Sequence, residues 1–457
     1  MRANYHSPLV KRTFALGVAN GALWQLADAF LNPSTVVPAF ILALGRGDKV
    51  WIGVIMACMN CGWLWPQLFL GKYLGTKQRL LPYYWVSAVG RGLTMIVLTA
   101  VVAFAYDARP GVVFAIVAAL FMLHGSLGAL GTIPFMTIVS DSMPASLRGR
   151  FFGLRWLIGG ALGMASGIVV KQVLAGGSGP VNPRSYVTLF ALGSGVYILS
   201  VLCFSLVREP PHDLQRHELS LPMELARGPR LLRRDRDWRL LLWSRACDAV
   251  AGGLTIPYMA PFALQYLKAQ ESVVGIFLFC QAGAGAASNL LWSYLGDRRG
   301  NRKLLMVSSA ASVLPAAIAV LSLAVPPVPL GTWFGVPFTL RLLVFSIAFI
   351  PLGFWVSGMA MGQTNYLLDI APNRRRSTYL AFSSLVAFPL AWWPVGGALI
   401  IGESRFVLGF TVALAAAIGT FVTTVRLQEP RAAHLGLGDA PVAVAHTDER
   451  SAAAGGA

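Results

Sequence analysis

The chain has 457 residues, of which 56% are hydrophobic and only 12% are charged, and its formal net charge is +18. Soluble domains carry roughly 25% charged residues and disordered chains have low hydrophobicity, so both classes are excluded. The composition predicts an integral membrane protein, and the basic excess fits either nucleic-acid binding or basic loops on one side of a membrane.

Apolar stretches recur at a length that crosses a bilayer, which takes about 20 residues for a hydrocarbon core of about 30 Å. The first stretch is too long for the core of a signal peptide. The sequence therefore predicts an all-α membrane protein with twelve transmembrane helices. The predicted spans are Ala19–Leu44, Val50–Leu74, Leu81–Tyr106, Gly111–Val139, Phe151–Ala175, Tyr186–Val207, Leu240–Leu267, Val273–Leu295, Leu304–Val325, Phe338–Leu368, Thr378–Ile401 and Phe406–Leu427.

The spacing of these spans predicts four units. Residues 1–207 form an N-terminal six-helix bundle, and residues 240–427 form a C-terminal one. Residues 208–239 form a polar central loop, and residues 428–457, rich in Ala and Gly, form a disordered tail. The loop alternates apolar and basic residues at Leu221–Leu232, which fits either a helix on an anionic membrane surface or a plain tether.

The basic residues mark one side of the membrane. The termini and the loops on their side hold 27 of the 37 Lys and Arg residues, whereas the opposite loops hold 8. Cytoplasmic loops carry such an excess, so both termini are predicted to be cytoplasmic. The spread over many short loops also removes the nucleic-acid interpretation. Arg outnumbers Lys 30 to 7, which favours a GC-rich bacterium and its inner membrane.

Three pairs of segments repeat in the same order at nearly constant offset, which predicts two homologous halves. The pattern D-x-x-P-x-x-x-R follows the fourth and tenth spans at an offset of 228, and Leu70–Lys77 aligns with Leu295–Arg302 at an offset of 225. Asp28 aligns with Asp248 at an offset of 220. Proline can end each helix and arginine can reach carboxylates or helix ends. We therefore expect a gating or structural role, rather than substrate contact, for the loop residues Asp141, Pro144, Arg148, Asp369, Pro372 and Arg376.

The loop after the eighth span carries a family resemblance. It contains Gly296, Asp297, Arg298, Gly300 and Arg302, and it resembles the signature loop of the major facilitator superfamily. The resemblance covers residues 10–427 and implies two six-helix halves, a site near the membrane midplane and transport by alternating access. In that family the aspartate helps to lock a gate, which the resemblance assigns to Asp297. Lys72 replaces it in the first half, so we expect a weaker or different gate there.

Five ionisable residues are the candidates for a function inside the membrane, where each costs at least about 2.5–3.5 kcal/mol near the centre. Asp28, Asp248 and His124 are the candidates for proton coupling. The alternatives are a salt bridge that fixes helices for the aspartates and a hydrogen-bonded core role for His124. Arg91 can bind an anionic substrate group, or it can neutralise Asp28 or Asp141, the commoner use of a buried charge. Arg245 lies on the same helix face as Asp248.

Polar and aromatic side chains on the same helices are predicted to line the substrate cavity. These candidates are Trp24, Gln25, Arg91, Arg245, Gln281, Gln363, Asn365 and Trp392.

The predicted function is secondary transport of a small organic solute by a monomer in the lipid bilayer, with export of amphiphilic compounds as a variant. The driving force is a proton gradient, another gradient or the gradient of the solute itself. The chain has no phosphate-binding loop, and its six His argue against an enzyme or a metal site, so no cofactor is expected. Cys58 and Cys61 fit an apolar helix face better than a redox or zinc site. The alternative function is a membrane sensor that has this fold but does not transport.

Overall fold

A computed structural model describes residues 8–45, 48–105, 109–175, 185–209, 221–372 and 375–430. We call the first eight helices the N-half. They are α1 (Pro8–Ala29), α2 (Val36–Leu44), α3 (Val50–Leu64), α4 (Gln67–Gly75), α5 (Leu81–Phe104), α6 (Pro110–Ser142), α7 (Ala145–Ala175) and α8 (Ser185–Ser205).

Helix α9 (Leu221–Arg234) connects the N-half to the C-half. The C-half contains one π-helical turn, Phe262–Tyr266, and one short 3-10 helix, Ser322–Ala324. Its α-helices are α10 (Arg236–Thr255), α11 (Met259–Pro261), α12 (Val273–Arg298), α13 (Asn301–Leu321), α14 (Leu340–Ile347), α15 (Phe349–Ile370), α16 (Arg376–Leu390), α17 (Trp393–Ile401) and α18 (Phe406–Val425).

Ten helical segments of the described chain are long and apolar enough to cross a membrane. Two further segments, Pro8–Leu44 and Arg236–Tyr266, are interrupted and contain more polar residues. Pro33 and Pro257 lie in the interruptions, because a proline ring is incompatible with a continuing helix. These two segments are the equivalent first and seventh predicted spans, and they carry Asp28 and Asp248. The ten long helices and the two broken segments are consistent with the predicted twelve-helix fold.

The two halves repeat the same helix pairings, which supports the internal repeat found in the sequence. In the N-half, α1 packs on α7 and α8, α6 packs on α3 and α5, and α5 packs on α8. In the C-half, α10 packs on α17 and α18, α15 packs on α12 and α13, and α13 packs on α18. Helix α7 packs on α12 and α3 packs on α17, and these two contacts join the halves.

The halves meet most closely on the face away from the termini, which we call the far face. A Cβ atom added to Gly167 of α7 would lie 2.6 Å from the Gly275 carbonyl oxygen of α12. Gly53 of α3 approaches Pro394 of α17 equally closely. Backbone contact of this kind needs residues without side chains. The glycines therefore allow the two halves to close tightly against each other at this face.

Polar contacts reinforce the closed far face. The buried Lys49 of the N-half donates to the backbone carbonyl of Glu403 in the C-half and lies 5.1 Å from the Phe406 ring. Burial lowers the pKa of Lys49. On the other flank, the Tyr186 hydroxyl donates to Glu271 Oε1 at 3.3 Å. Each contact joins one half to the other, so each must break when the far face opens.

Several predicted boundaries were wrong. Helix α1 begins at Pro8, α7 at Ala145 and α10 at Arg236, in each case before the predicted start of the span. The predicted central loop contains α9, whose Gly228 packs against the Phe382 ring of α16. The first residues of the predicted disordered tail are fixed, because the Tyr366 hydroxyl donates to the Gln428 carbonyl at 2.7 Å. Residues 431–457 lie outside the described residues.

A β-hairpin at the far face departs from the all-α prediction. Strand β1 (Pro329–Trp333) pairs antiparallel with β2 (Val336–Thr339), between α13 and α14. Phe334 and Gly335 form the turn with positive φ angles of 54° and 75°. The hairpin adds two short strands to a helical fold and leaves the membrane-spanning framework unchanged.

Candidate functional site

The N-half holds a polar cluster where the end of α1 meets the middle of α5 and of α6. Arg91 of α5 lies 3.8 Å from Asp28 of α1, measured between Nη2 and Oδ1. The same guanidinium contacts His124 of α6 at 2.8 Å from Nη2 and 3.2 Å from Nε. The structure therefore brings together three of the ionisable residues predicted from the sequence, and it pairs Arg91 with Asp28 rather than with Asp141.

The hydrogen bonds define the state of His124. Arginine has no acceptor, so His124 Nε2 must accept from Arg91 and cannot carry a proton. The Thr94 hydroxyl donates to the Arg91 carbonyl at 2.7 Å, so it accepts from His124 Nδ1 at 3.1 Å. His124 is thus a neutral ring that holds Arg91 in place. This geometry favours the hydrogen-bonded core interpretation of His124 over a proton relay.

Arg91 is fixed on several sides, whereas Asp28 is not. The Arg91 guanidinium lies 5.0 Å from the Tyr197 ring and 5.9 Å from the Trp24 ring, and its side chain is 8% exposed. The Asp28 side chain is 39% exposed and accepts no hydrogen bond from any residue that the structure describes. The Asp28 carboxylate therefore keeps free acceptor positions beside a rigid cation.

The C-half holds a second cluster around the equivalent aspartate. Asp248 of α10 accepts from Trp355 Nε1 at 2.8 Å through Oδ1 and from Gln363 Nε2 at 3.0 Å through Oδ2. Arg245 donates to the Gln363 backbone carbonyl at 3.4 Å, and its Nε is buried without a partner. Each oxygen of Asp248 is thus engaged by a neutral donor, unlike those of Asp28. Trp355 was not singled out from the sequence.

The remaining predicted cavity residues lie in different places. Gln281 of α12 is buried and donates to the Ser34 hydroxyl at 2.9 Å, so it joins the two halves. Gln25 donates to the Arg155 carbonyl of α7 at 3.0 Å. Trp392 is 45% exposed at the break between α16 and α17. Asn365 lies apart from both clusters, near the face that carries the termini, which we call the terminal face.

Arg155 is a site residue that the sequence interpretation placed in a loop. It lies inside α7, where its Nη1 donates to Asn20 Oδ1 at 3.1 Å and to the Gly17 carbonyl at 3.3 Å. Its guanidinium lies 4.2 Å from the Phe135 ring. The count of basic residues assigned it to the loop after the fourth span, although it lies four residues inside the predicted fifth span, Phe151–Ala175. That position within the span was the signal for a buried arginine.

The signature loop of the C-half surrounds a cavity of about 340 Å³ at the terminal face. Asn301 donates to Asp369 Oδ2 at 2.7 Å, and Arg302 donates to the Val425 carbonyl at 2.9 Å. Gly300 has a φ of 85°, a conformation that favours glycine. Arg298 and Asp297 are exposed at the end of α12. The cavity is lined by Trp292, Ser293, Gly296, Asp297, Asn301, Met361, Asn365, Leu368 and Asp369.

The D-x-x-P-x-x-x-R loop of the N-half, which follows α6, caps that helix. Arg148 donates to the Ser140 carbonyl at 2.6 Å and to the Met143 carbonyl at 3.2 Å, which satisfies carbonyls at the end of α6. Pro144 stands two residues past that end, as Pro372 does past the end of α15. Arg376 begins α16. The side chain of Lys72, on which the expected weaker gate depends, lies outside the described residues.

Two glutamates form a repeat that the sequence interpretation missed. Glu209 accepts from the backbone N–H groups of Leu80 and Leu81, at the start of α5, and Glu429 accepts from the N–H of Arg302, at the start of α13. The two lie 220 residues apart, the offset that relates Asp28 to Asp248, and a proline follows each. A carboxylate is favourable at a helix N-terminus. In each half, a glutamate that follows the last span therefore caps the start of the third span.

These features define a membrane carrier built from two repeated six-helix halves. The family profile described as MFS/sugar transport protein matches residues 69–391. The chain therefore belongs to the major facilitator superfamily and is a secondary transporter. No curated protein matches the sequence.

Solved transporters share the fold at low identity. A bacterial homologue of the iron transporter ferroportin in the inward-facing state has a TM-score of 0.67 at 14% identity, with 91% of this chain and 98% of that one covered. A mutant of a nucleoside transporter has a TM-score of 0.63 at 14% identity, with 91% and 98% covered. A D-xylose–proton symporter has a TM-score of 0.62 at 13% identity, with 93% and 99% covered. These comparisons give no support to the sensor alternative.

Proposed function

We propose that this transporter moves a small polar organic solute together with protons and that Asp28 is the proton site. The observation that carries the proposal is the contrast between the two aspartates. Asp248 has a donor on each oxygen, whereas Asp28 has only Arg91 at 3.8 Å, beyond hydrogen-bond range. A partly exposed carboxylate without donors can take up and release a proton with little rearrangement around it.

The neighbours of Asp28 fit this role. Arg91 keeps its place through His124, Tyr197 and Trp24, so neutralisation of Asp28 does not free the guanidinium. When Asp28 is protonated, Arg91 loses its ion pair and its attraction for a polar solute group increases. The proton and the solute are then coupled through one cation. Related folds include a D-xylose–proton symporter and a nucleoside transporter, which supports both the solute class and the coupling.

The proposal includes an orientation in which the termini are cytoplasmic and the protein faces inward. Most basic loop residues lie on the terminal side, as the positive-inside rule requires. The far face is closed by Gly167, Gly275 and Lys49, which fits a closed external gate. The TM-score is 0.67 to a bacterial ferroportin homologue in the inward-facing state and 0.59 to one in the outward-facing state, which supports the assignment. A location in a bacterial inner membrane and a monomeric state belong to the same proposal.

The test separates solute exchange from proton coupling. Purified protein is reconstituted in liposomes, and a solute found by thermal stabilisation is followed in two modes. Asp28→Asn is expected to keep exchange at equal solute concentrations, because the site still binds, and to lose accumulation driven by a pH gradient. Asp48→Asn removes an exposed carboxylate away from the cluster and is expected to keep both modes. Accumulation at the wild-type level by Asp28→Asn would refute the role of Asp28.

A further inference from the structure

Arg155 lies deep in the bundle. It stands ten residues after the start of α7 and five from the middle of that helix, or roughly 7.5 Å at 1.5 Å per residue. The hydrocarbon core extends about 15 Å on each side of the midplane, so Arg155 lies within it. A cation at this depth is costly unless it is neutralised or used in function.

The position of Arg155 is built by four helices. Asn20 of α1 donates through Nδ2 to the Tyr84 hydroxyl of α5 and to Ser200 of α8, so its Oδ1 is directed at Arg155. A Cβ atom on Gly21 would lie 2.0 Å from the Arg155 side chain, so the absent side chain of Gly21 leaves space for it. The guanidinium is held in a defined place by a buried network.

None of these contacts supplies a negative charge. Arg91 has Asp28 nearby, and Arg245 has Asp248 three residues ahead on its own helix. Arg155 is bonded only to neutral oxygens among the described residues. Its Nε and Nη2 donate to no described residue, although both keep some accessible surface. The described part of the protein thus fixes an arginine that has no carboxylate partner and two nitrogens without an acceptor among the described residues.

We propose that the transported solute carries an anionic group, a carboxylate or a phosphate, and that Arg155 binds it. The planar guanidinium offers parallel donors that match two oxygens of such a group. The inference rests on the proposed transport function and names the substrate class for it. Gly21, which faces Arg155, precedes Asp28 on α1 by seven residues, or roughly 10 Å along the same helix face. One face of α1 therefore serves both the anion and the proton.

The binding experiment uses ligands that share a scaffold and differ in charge. Thermal unfolding of the purified full chain in detergent is measured with glucose, glucosamine, glucuronate and glucose 6-phosphate, and with acetate and inorganic phosphate against sodium chloride of equal ionic strength. Ligands that bind only the folded protein raise its unfolding temperature. At least one anion is expected to do so, and to exceed the matched neutral and cationic sugars. If none of the anions stabilises the protein more than sodium chloride does, the inference is wrong.

Variants then assign the anion to Arg155. Arg155→Gln is expected to weaken binding of the stabilising anion about 10- to 100-fold. Arg155→Lys is expected to weaken it less, because lysine keeps the positive charge although it lacks the paired donors of the guanidinium. The matched control is Arg341→Gln, whose arginine also donates only to carbonyls, those of Val325 and Leu323. The control is expected to bind like the wild type. Unchanged anion binding by folded Arg155→Gln would overturn the assignment, and Arg155→Lys provides a second test if the glutamine variant does not fold.

The outcome for the substrate class is separable from that for transport. If a neutral solute binds and is accumulated with protons, the proposal that the solute is anionic is refuted, while the proposal of proton-coupled transport stands. An anion that binds at Arg155 but does not cross the membrane would leave the binding assignment intact and refute the transport proposal.

Discussion

The contact between Gly167 and Gly275 offers a direct test of the closed far face. An added Cβ at Gly167 would lie 2.6 Å from the Gly275 oxygen and 2.7 Å from the Phe279 nitrogen. Ordinary contacts of this kind begin near 3.4 Å, so Gly167→Ala requires the helices to separate by about 0.8 Å. Overpacking of this kind typically costs about 1–3 kcal/mol. Because only the closed far face bears this cost, the ratio of closed to open protein should fall by roughly 5- to 150-fold.

Spin labels on the two faces measure this shift in a cysteine-free background. Arg109→Cys with Thr332→Cys reports the far face, and Gln78→Cys with Arg299→Cys reports the terminal face, with one label in each half. Gly167→Ala is expected to lengthen the first distance and shorten the second.

The control for this experiment lies one turn away on α7. A Cβ added to Gly163 would lie 3.8 Å from Ala282, an ordinary contact, so Gly163→Ala is expected to leave both distances at their wild-type values. If Gly167→Ala keeps the wild-type distances, the contact between Gly167 and Gly275 does not limit closure of the far face.

Three further predictions concern titration and helix ends. Burial raises the pKa of Glu271 to about 7, against 4.5 for the free side chain, although the Tyr186 hydroxyl bond opposes this. The closed far face is therefore favoured when Glu271 is neutral, and this stabilisation of the closed state is lost as the pH rises through about 7. The far-face spin-label distance should differ between pH 5 and pH 8.5 in the wild type and agree in Glu271→Gln. Glu209→Ala and Glu429→Ala should each lower stability by about 1 kcal/mol, seen as a reduced unfolding temperature, since each removes a helix cap; an unchanged unfolding temperature in both would contradict the capping role. His124→Gln should keep the pH profile of transport, because the ring is already neutral, accepting from Arg91 and donating to Thr94; a shifted profile would instead support a proton relay.

The arrangement of membrane-spanning helices could be predicted from the sequence, because lipid imposes a length and a composition on each span. The repeat also followed from the sequence, since equivalent loops keep their residues at constant offset. Helix starts were less accurate. The helices extend past the apolar region on the terminal side, and a hydrophobicity rule begins counting only where the charges end. Arg155 was counted with the loop arginines at positions 148 and 150, although it lies inside the predicted fifth span.

The contacts between helices could not be predicted from the sequence. Arg91 had two possible carboxylate partners, Asp28 and Asp141, and only the packing of α5 on α6 and α8 places it beside Asp28 and His124. Asn365 looked like a cavity residue, but it lines the terminal-face cavity instead. The capping glutamates, in contrast, could have been found in the sequence. Glu209 and Glu429 are separated by the same offset of 220 residues as Asp28 and Asp248.

The hairpin also had a readable signal in the sequence. It combines β-forming residues on both sides of Phe334 and Gly335, a pattern that favours a turn between two strands.

In the proposed mechanism, solute movement and proton movement are one process. Liposomes that contain the protein and a trapped pH indicator measure this coupling when a solute gradient is imposed without a pH gradient. The solute gradient is expected to change the internal pH with the wild type and to leave it unchanged with Asp28→Asn, although the variant still exchanges solute. Solute flux without any pH change in the wild type would show that the two movements are not coupled.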